Sequence, residues 1–324
     1  MVNEYGLIHA LLLDGQGSAS EIALDKIHNW TEEHGVLWLH FDYTHPESEE
    51  WLLESSGLDK IIAQALLEDE TRPRATLIND GMLIALRGIN HNPGAEPDDM
   101  VALRMWIDKH RIVTSRRRKL GAASIIASDL LKGQGPENSG DFLVAMINHI
   151  VAGMSDTIND FEERTADYED AVLSGKTSGV RYDLANLRRQ TITIRRYLAP
   201  ERDAFSRLLI EKVSWIDADH NIQIREINDA LLRHIENLDA ARDRAAVTQE
   251  ELASRLSEQL NSRMYVLSVV TTVFLPLGFL TGLLGVNIAG IPGTDNQQAF
   301  WIFIAILVAM VIGQVIIFRW KKWF

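Results

Sequence analysis

The sequence predicts an α+β membrane protein in which an N-terminal α/β domain leads through helices into a long stalk and two C-terminal spans. Three observations carry this. Short β-rich runs alternate with helical stretches from residue 1 to about 120, an apolar seven-residue repeat starts near Asp217, and two charge-free apolar segments close the chain.

The β-rich runs are Gly6–Leu13, Val36–Tyr43, Thr76–Gly88, Val101–Trp106 and Arg111–Thr114, with a helical stretch at Glu49–Glu68. The segment His91–Asp99 is rich in turn formers and acids, and is expected to join two strands. The basic run Arg116-Arg117-Arg118-Lys119 reads as a solvated face or a partner of acidic surface rather than an anion site. From Ser139 helical periodicity takes over, with helices expected at Asp141–Leu173 and Arg181–Pro200 around the turn Ser174–Gly179. Ile224, Leu231, Leu238, Ala245 and Leu252 then recur every seventh residue, with Ile235 and Leu256 on an adjoining track. That spacing predicts a stalk packed against neighbouring helices. No convincing breaker separates it from the first span, so one helix of roughly 100 Å is expected, able to carry motion of the soluble domain into the membrane.

The spans are Met264–Leu284 and Ala299–Phe318. Each has about the 20 residues that cross a hydrocarbon core as a helix. Arg263 precedes the first, Arg319, Lys321 and Lys322 follow the second, and the loop between them has no basic residue, which puts both termini in the cytoplasm. The chain thus divides into an α/β domain (1–138), a helical region (139–216), the stalk (217–263), the first span (264–284), an external loop (285–298), the second span (299–319) and a basic tail (320–324).

Charge divides the same way. Residues 1–262 hold 28 Lys and Arg against 44 Asp and Glu, a net of −16, while the remainder holds 4 against 1. So acidic a soluble part argues against a nucleic-acid partner and favours a field that concentrates cations. With no cysteine, disulfides and thiolate metal sites are excluded. No phosphate-loop, His-Glu-x-x-His or Gly-x-Ser-x-Gly motif supports an enzyme. A membrane-anchored cytosolic enzyme or sensor is the rival class.

The first span carries small and polar residues at steps of three and four. Asn261, Met264, Leu267 or Ser268, Thr271, Leu275, Gly278 and Gly282 fall near one face, and Thr272 and Thr281 add further hydroxyls to the helix. Such a stripe serves close helix packing or lines a narrow aqueous pore, with Leu267 and Leu275 as hydrophobic constrictions. Two spans cannot enclose a pore, so that reading needs a symmetric homo-oligomer with the first span innermost. Pro276 is either a tolerated membrane proline or a gating hinge. Gly285-Val286-Asn287 closes the outer end, where the helix C-terminus and a ring of Asn287 amide oxygens would accept hydrogen bonds from the water shell of a divalent cation.

With those residues in view, the chain resembles the two-transmembrane GxN metal-ion transporters, the CorA family, and within it the ZntB zinc transporters. The membrane resemblance runs from Pro276 through Gly285-Val286-Asn287 and Gly290–Thr294 to the tail Lys321-Lys322-Trp323-Phe324. In the soluble part it rests on Thr71-Arg72-Pro73-Arg74, Leu86–Ala95, Asp98–Val101 and Leu103–Trp106. Magnesium-type relatives usually have Met within the signature and an acidic loop after it; Val286 and the glycine-proline loop favour zinc.

The resemblance implies a homopentamer with an α/β/α cytoplasmic funnel in the inner membrane. It also implies Asn287 at the outer mouth, pore-facing Asn261, Leu267, Thr271, Leu275 and Gly278, and zinc uptake coupled to protons. The CorA-like magnesium channel is the alternative. No Asp, Glu, His, Lys or Arg lies between Arg263 and Asp295, so protons would move on water or through sites in the funnel or loop. Only amide, hydroxyl and thioether groups line the spans, poor ligands for bare zinc, so the expected cargo is a largely hydrated ion, with cobalt, nickel and cadmium as further substrates. No cofactor is expected beyond the transported ion. Asp217, Asp219, His220, Glu226 and His234, and His149 with Asp156, are assigned to surface or packing rather than to a metal.

Overall fold

The computed structural model describes residues 6–286 and 296–321. Contacts divide the chain into two compact units, Met1–Gln249 and Glu250–Phe324. In chain order the elements are β1 (Leu7–Leu13), β2 (Ala19–Glu21), α1 (Leu24–Ile27), β3 (Leu37–Asp42), α2 (Pro46–Glu50), α3 (Lys60–Leu67), β4 (Arg74–Ile78), β5 (Gly81–Gly88), β6 (Val101–Ile107) and β7 (Arg111–Arg116). The helices α4 (Gly121–Leu131), α5 (Ser139–Ala152), α6 (Ser155–Leu173), α7 (Val180–Ile210), α8 (Ala218–Leu284) and α9 (Ala299–Trp320) follow.

The first unit is built on a seven-stranded sheet of order β2-β1-β3-β7-β6-β5-β4. Only β3 with β7 is parallel among these pairs, and the chain between them supplies the long connection such pairing requires. Side chains alternate between two buried faces. Leu37, Leu39 and Phe41 join a core with Leu52, Ile62 and Leu66 from the α2–α3 region, and Phe41 stacks on Trp51 at 5.0 Å. Trp38 on the opposite face meets Phe142 of α5 edge-on at 4.8 Å and donates to Thr114 Oγ1 at 2.9 Å. The result is an α/β/α sandwich.

Several elements differ from the expectations. Thr76–Gly88 holds a hairpin, β4 turning at Asn79-Asp80 into β5, with Asn79 in the left-handed region at φ 55°. Gly81 is required there, since a Cβ would meet the Trp106 ring at 2.3 Å. Glu49–Glu68 breaks into α2, a π-helical turn at Trp51–Ser55, and α3, because Gly57 takes φ +66° and Asp59 caps α3 by accepting from Ile61 N at 2.8 Å. Asp141–Leu173 breaks at Gly153-Met154 into α5 and α6. Helix α7 passes through Pro200 to Ile210, since burial of Ala204, Phe205 and Leu208 outweighs the one backbone bond the ring removes. The His91–Asp99 loop does join strands β5 and β6, held to α7 by Arg189–Asp98 and Gln190–Glu96 bonds, each 2.9 Å.

Helix α8 runs 67 residues, as its uninterrupted pattern predicts. Ile224, Leu231, Leu238, Ala245 and Leu252 are all at most 2% exposed. Within the first unit, Arg195–Asp239 (2.6 Å) and Arg188–Gln249 (2.6 Å) tie it to α7. Its start is pinned by His220, which contacts Asp141 at 3.0 Å and Asp217 at 2.9 Å. Gly140 admits that ring, since a Cβ would lie 2.5 Å from it. His220 is thus a link between helices, and among the described residues no group of three or more His, Asp or Glu is disposed to hold a metal.

Candidate functional site

The second unit contains two helices long and apolar enough to cross a membrane, the C-terminal part of α8 and all of α9. Their sides differ sharply. On α8 the half-buried residues are Val269, Val273, Pro276, Leu277 and Leu280. At about 100° per residue these sit within about 60° of the point opposite Thr271. On α9 the covered line is Phe303, Leu307, Met310 and Gln314, ending at buried Phe318. The two lines are the faces on which these helices meet.

The sequence-predicted stripe occupies the other side of α8. Asn261, Met264, Leu267, Ser268, Leu275, Gly278 and Thr281 all fall within about 80° of Thr271, and all are exposed in the single chain. Met264 is 64%, Leu267 66% and Leu275 70% exposed. A continuous face of this kind needs lipid, water or another copy of the chain against it.

The hydroxyls on this helix are oriented. Thr271 donates to Leu267 O at 2.8 Å, Thr272 to Ser268 O at 2.7 Å and Thr281 to Leu277 O at 2.9 Å. Each proton is committed to the helix's own backbone, so what the side chain turns outward is an oxygen acceptor. Acceptors suit the donating waters of a hydrated cation, whereas a bare zinc ion would find no imidazole or thiolate here.

At the end of α8, Gly285 N donates to Thr281 O at 2.9 Å. The φ of Gly285 is not positive, and the glycine is needed because a Cβ would lie 2.8 Å from Thr281 O. Val286 is 43% exposed beside it. Asn287 lies outside the described residues.

A contribution that the sequence reading missed comes from Gln314. Pro276 has no N–H, which frees the carbonyl four residues earlier, Thr272 O, and Gln314 Nε2 donates to that oxygen at 3.3 Å. The signal was a lone amide in an otherwise apolar span, but its partner is 42 residues away. In hydrocarbon this bond has no water to replace it. Gln314→Leu is therefore expected to lower the apparent Tm of the detergent-solubilised protein, by about 1–3 kcal/mol of stability. Adding Pro276→Ala restores the backbone donor and should recover most of that loss; equal Tm values in the single and double variants would break the link.

Comparison with known proteins now bears on this geometry. The model of the CorA-like Mg2+ transporter protein family matches residues 33–321. The chain belongs to the CorA-like family. Within it, the chain is 38% identical over 316 residues to the zinc transport protein ZntB of Yersinia enterocolitica, covering 98% of this chain and 95% of that one. It is 37% identical to the divalent cation transporter CmaX of Pseudomonas aeruginosa, covering 98% and 95%. The structure of full-length CmaX superposes with a TM-score of 0.88 at 35% identity, covering 99% of both chains.

A CorA-like chain is a divalent metal-ion transporter, and the metal is cargo rather than cofactor. The reading in which the spans merely anchor an enzyme is set aside, because the resemblance to transporters runs through the spans as well as the soluble unit.

Proposed function

We propose that this CorA-like chain carries zinc into the cell across the inner membrane, as a homopentamer with α8 innermost and both termini cytoplasmic. The observation that carries the reading is the division of α8 into a side met by α9 and an opposite exposed stripe of small and acceptor-bearing residues. Symmetry closes such stripes into a lining of Asn261, Met264, Leu267, Ser268, Thr271, Leu275, Gly278 and Thr281. Thr hydroxyls and the Asn261 amide accept from shell waters, so the ion passes largely hydrated. Leu267 and Leu275 narrow the path. Gly285, Val286 and Asn287 form the outer mouth, and Pro276 sits at the level where the helix can bend.

Zinc is favoured over magnesium by Val286 in the signature, by the glycine-proline loop, and by a relative named as a zinc transport protein. The magnesium reading rests on the description of the family model. Protons, with no Asp, Glu, His, Lys or Arg from residue 264 to 294, travel with water or hydroxide rather than along a carboxylate relay.

Flux into liposomes containing the purified protein tests this, with zinc and magnesium compared with and without an inward proton gradient. Zinc entry that grows with the gradient and falls by about tenfold or more in Asn287→Ala, equivalent to about 1.4 kcal/mol at the mouth, is the expected result. Magnesium-dominated flux indifferent to the gradient transfers the assignment to a magnesium channel, and no flux of either ion removes the proposal.

A further inference from the structure

Within the first unit a cavity of about 650 Å³ opens between six stretches of the chain, around Tyr43, 69–72, Arg87, 99–104, 117–118 and 196–197. Small-molecule sites span about 300–1,000 Å³. Six arginines line it against three carboxylates, in a soluble part where acids greatly outnumber bases. Such local reversal of charge needs a reason, because it runs against the field of everything around it.

The arginines are of two kinds. Arg87 and Arg104 are built into the wall. Arg87 donates to Thr71 O at 3.1 Å and to Met100 O at 3.1 Å, with its guanidinium 4.3 Å over the Tyr197 ring. Arg104, 1% exposed, donates to Glu68 O at 2.6 Å and Asp69 O at 2.9 Å, yet its Nη1 is buried with no partner. A buried guanidinium N–H is costly without an acceptor, so an anionic oxygen brought to Arg104 Nη1 would gain a bond that the protein itself does not make. Arg72 and Arg196 are the other kind. Both are exposed; among the described residues Arg72 makes no ion pair or hydrogen bond, and Arg196 reaches Tyr197, its hydroxyl at 3.0 Å and its ring at 4.9 Å.

The carboxylates do not cancel this excess. Arg118 engages Asp99 through both terminal nitrogens, and Asp69 is shared by Arg117 at 3.7 Å and the Tyr43 hydroxyl at 3.2 Å. Guanidinium groups present paired donors that match phosphate oxygens, and these donors come from separate parts of the fold around one space, Arg87 from β5, Arg104 from β6, Arg196 from α7 and the others from loops. Guanidiniums already lie over the tyrosine rings, Arg104 over Tyr43 at 4.7 Å, and Arg87 and Arg196 over Tyr197 at 4.3 and 4.9 Å, so these rings serve to place the arginines.

We propose that this cavity is a binding site for a small anion carrying two or more phosphate groups, recognised through those groups alone. Arg104 and Arg87 form its floor, and Arg72 and Arg196 close on the ligand. The basic run Arg116–Lys119, which the sequence presents as a solvated face or a partner of acidic surface, contributes Arg117 and Arg118 to its wall, where they pair with Asp69 and Asp99.

Titration calorimetry on metal-free, detergent-solubilised full-length protein tests this, with sodium pyrophosphate, inorganic phosphate, citrate and ATP at matched ionic strength. Expected is saturable pyrophosphate binding at least about tenfold tighter than phosphate, weakened at least about tenfold by Arg72→Gln with Arg196→Gln, since each loses a charge-assisted bond at an exposed position that does not carry the fold. ATP binding like pyrophosphate supports recognition through phosphate. Absence of saturable pyrophosphate binding, unchanged affinity in the double variant, or tighter binding of citrate overturns the proposal.

Discussion

Thr271→Lys is expected to reduce divalent-cation flux by on the order of 100-fold or more while leaving the protein assembled. At an effective dielectric of about 20, a unit charge and a divalent cation about 8 Å apart repel by about 4 kcal/mol. In a symmetric assembly every copy places one such charge at the same level of the pore. Thr271 lies opposite the face that meets α9, and its neighbours along the stripe are exposed, so the lysine has space and does not force the two helices apart. Were the stripe to face lipid instead, the lysine would snorkel towards a headgroup and flux would stay near normal. Flux and size-exclusion profile measured on one preparation separate the outcomes. A well-assembled variant that conducts like the unmodified protein would place the pore elsewhere. Val273→Lys on the covered face gives the contrast, because a charge between α8 and α9 should show first as lost assembly.

What could be read from the sequence follows how local its cause is. The stalk was legible because Ile224, Leu231, Leu238, Ala245 and Leu252 repeat along one element, and a single period places them all in the interior. The two long apolar helices were legible from their charge-free runs, and spacing alone put the small and polar residues of α8 on one side. The interruptions were harder. Pro200 stops an isolated helix in principle, yet the buried residues beyond it depend on what α7 packs against. Gly57 ends one helical run, whereas Gly140 sits inside α5 as the seat of the His220 ring, a role set by a residue 80 positions away. The Gln314 bond to Thr272 O and the arginine cavity are non-local in the same sense. Arg72, Arg104, Arg118 and Arg196 show no common spacing, and only the sheet and α7 bring them to one space. Helix α4, with small apolar residues around most of its circumference, gave no amphipathic period to find.

Glu201 shows how such a non-local environment sets a chemical property, and it yields the largest expected effect on stability. It lies on α7 with 0% exposure, accepts the Arg87 backbone N–H at 3.2 Å through Oε1, and leaves Oε2 buried with no partner among the described residues. Burial pushes its pKa up to about 8, against which the Arg87 bond and charge act only partly. In the unfolded chain the same carboxyl titrates near 4.5. The folded protein therefore holds a proton between these values that the unfolded chain releases. Its contribution to stability is complete below pH 4.5, declines as pH rises through the window, and is gone above about 8. The full swing is on the order of 5 kcal/mol. Glu201→Gln keeps the shape and a neutral polar head without a proton to lose. Thermal unfolding of the full-length protein from pH 5.5 to 8.5 should show an apparent Tm that falls more steeply in the unmodified protein than in the variant. The variant should be the more stable of the two at the alkaline end. Parallel curves would mean that Glu201 is already ionised in the folded protein, with water or a cation reaching Oε2. A variant less stable at every pH would mean that Oε2 has a donor that the amide nitrogen repels. Because the carboxyl is bound to the backbone of Arg87, whose side chain floors the arginine cavity, its protonation also sets the charge beneath that cavity. Pyrophosphate affinity of the unmodified protein should then weaken as Glu201 ionises, and the Gln variant should bind with less dependence on pH across the same window.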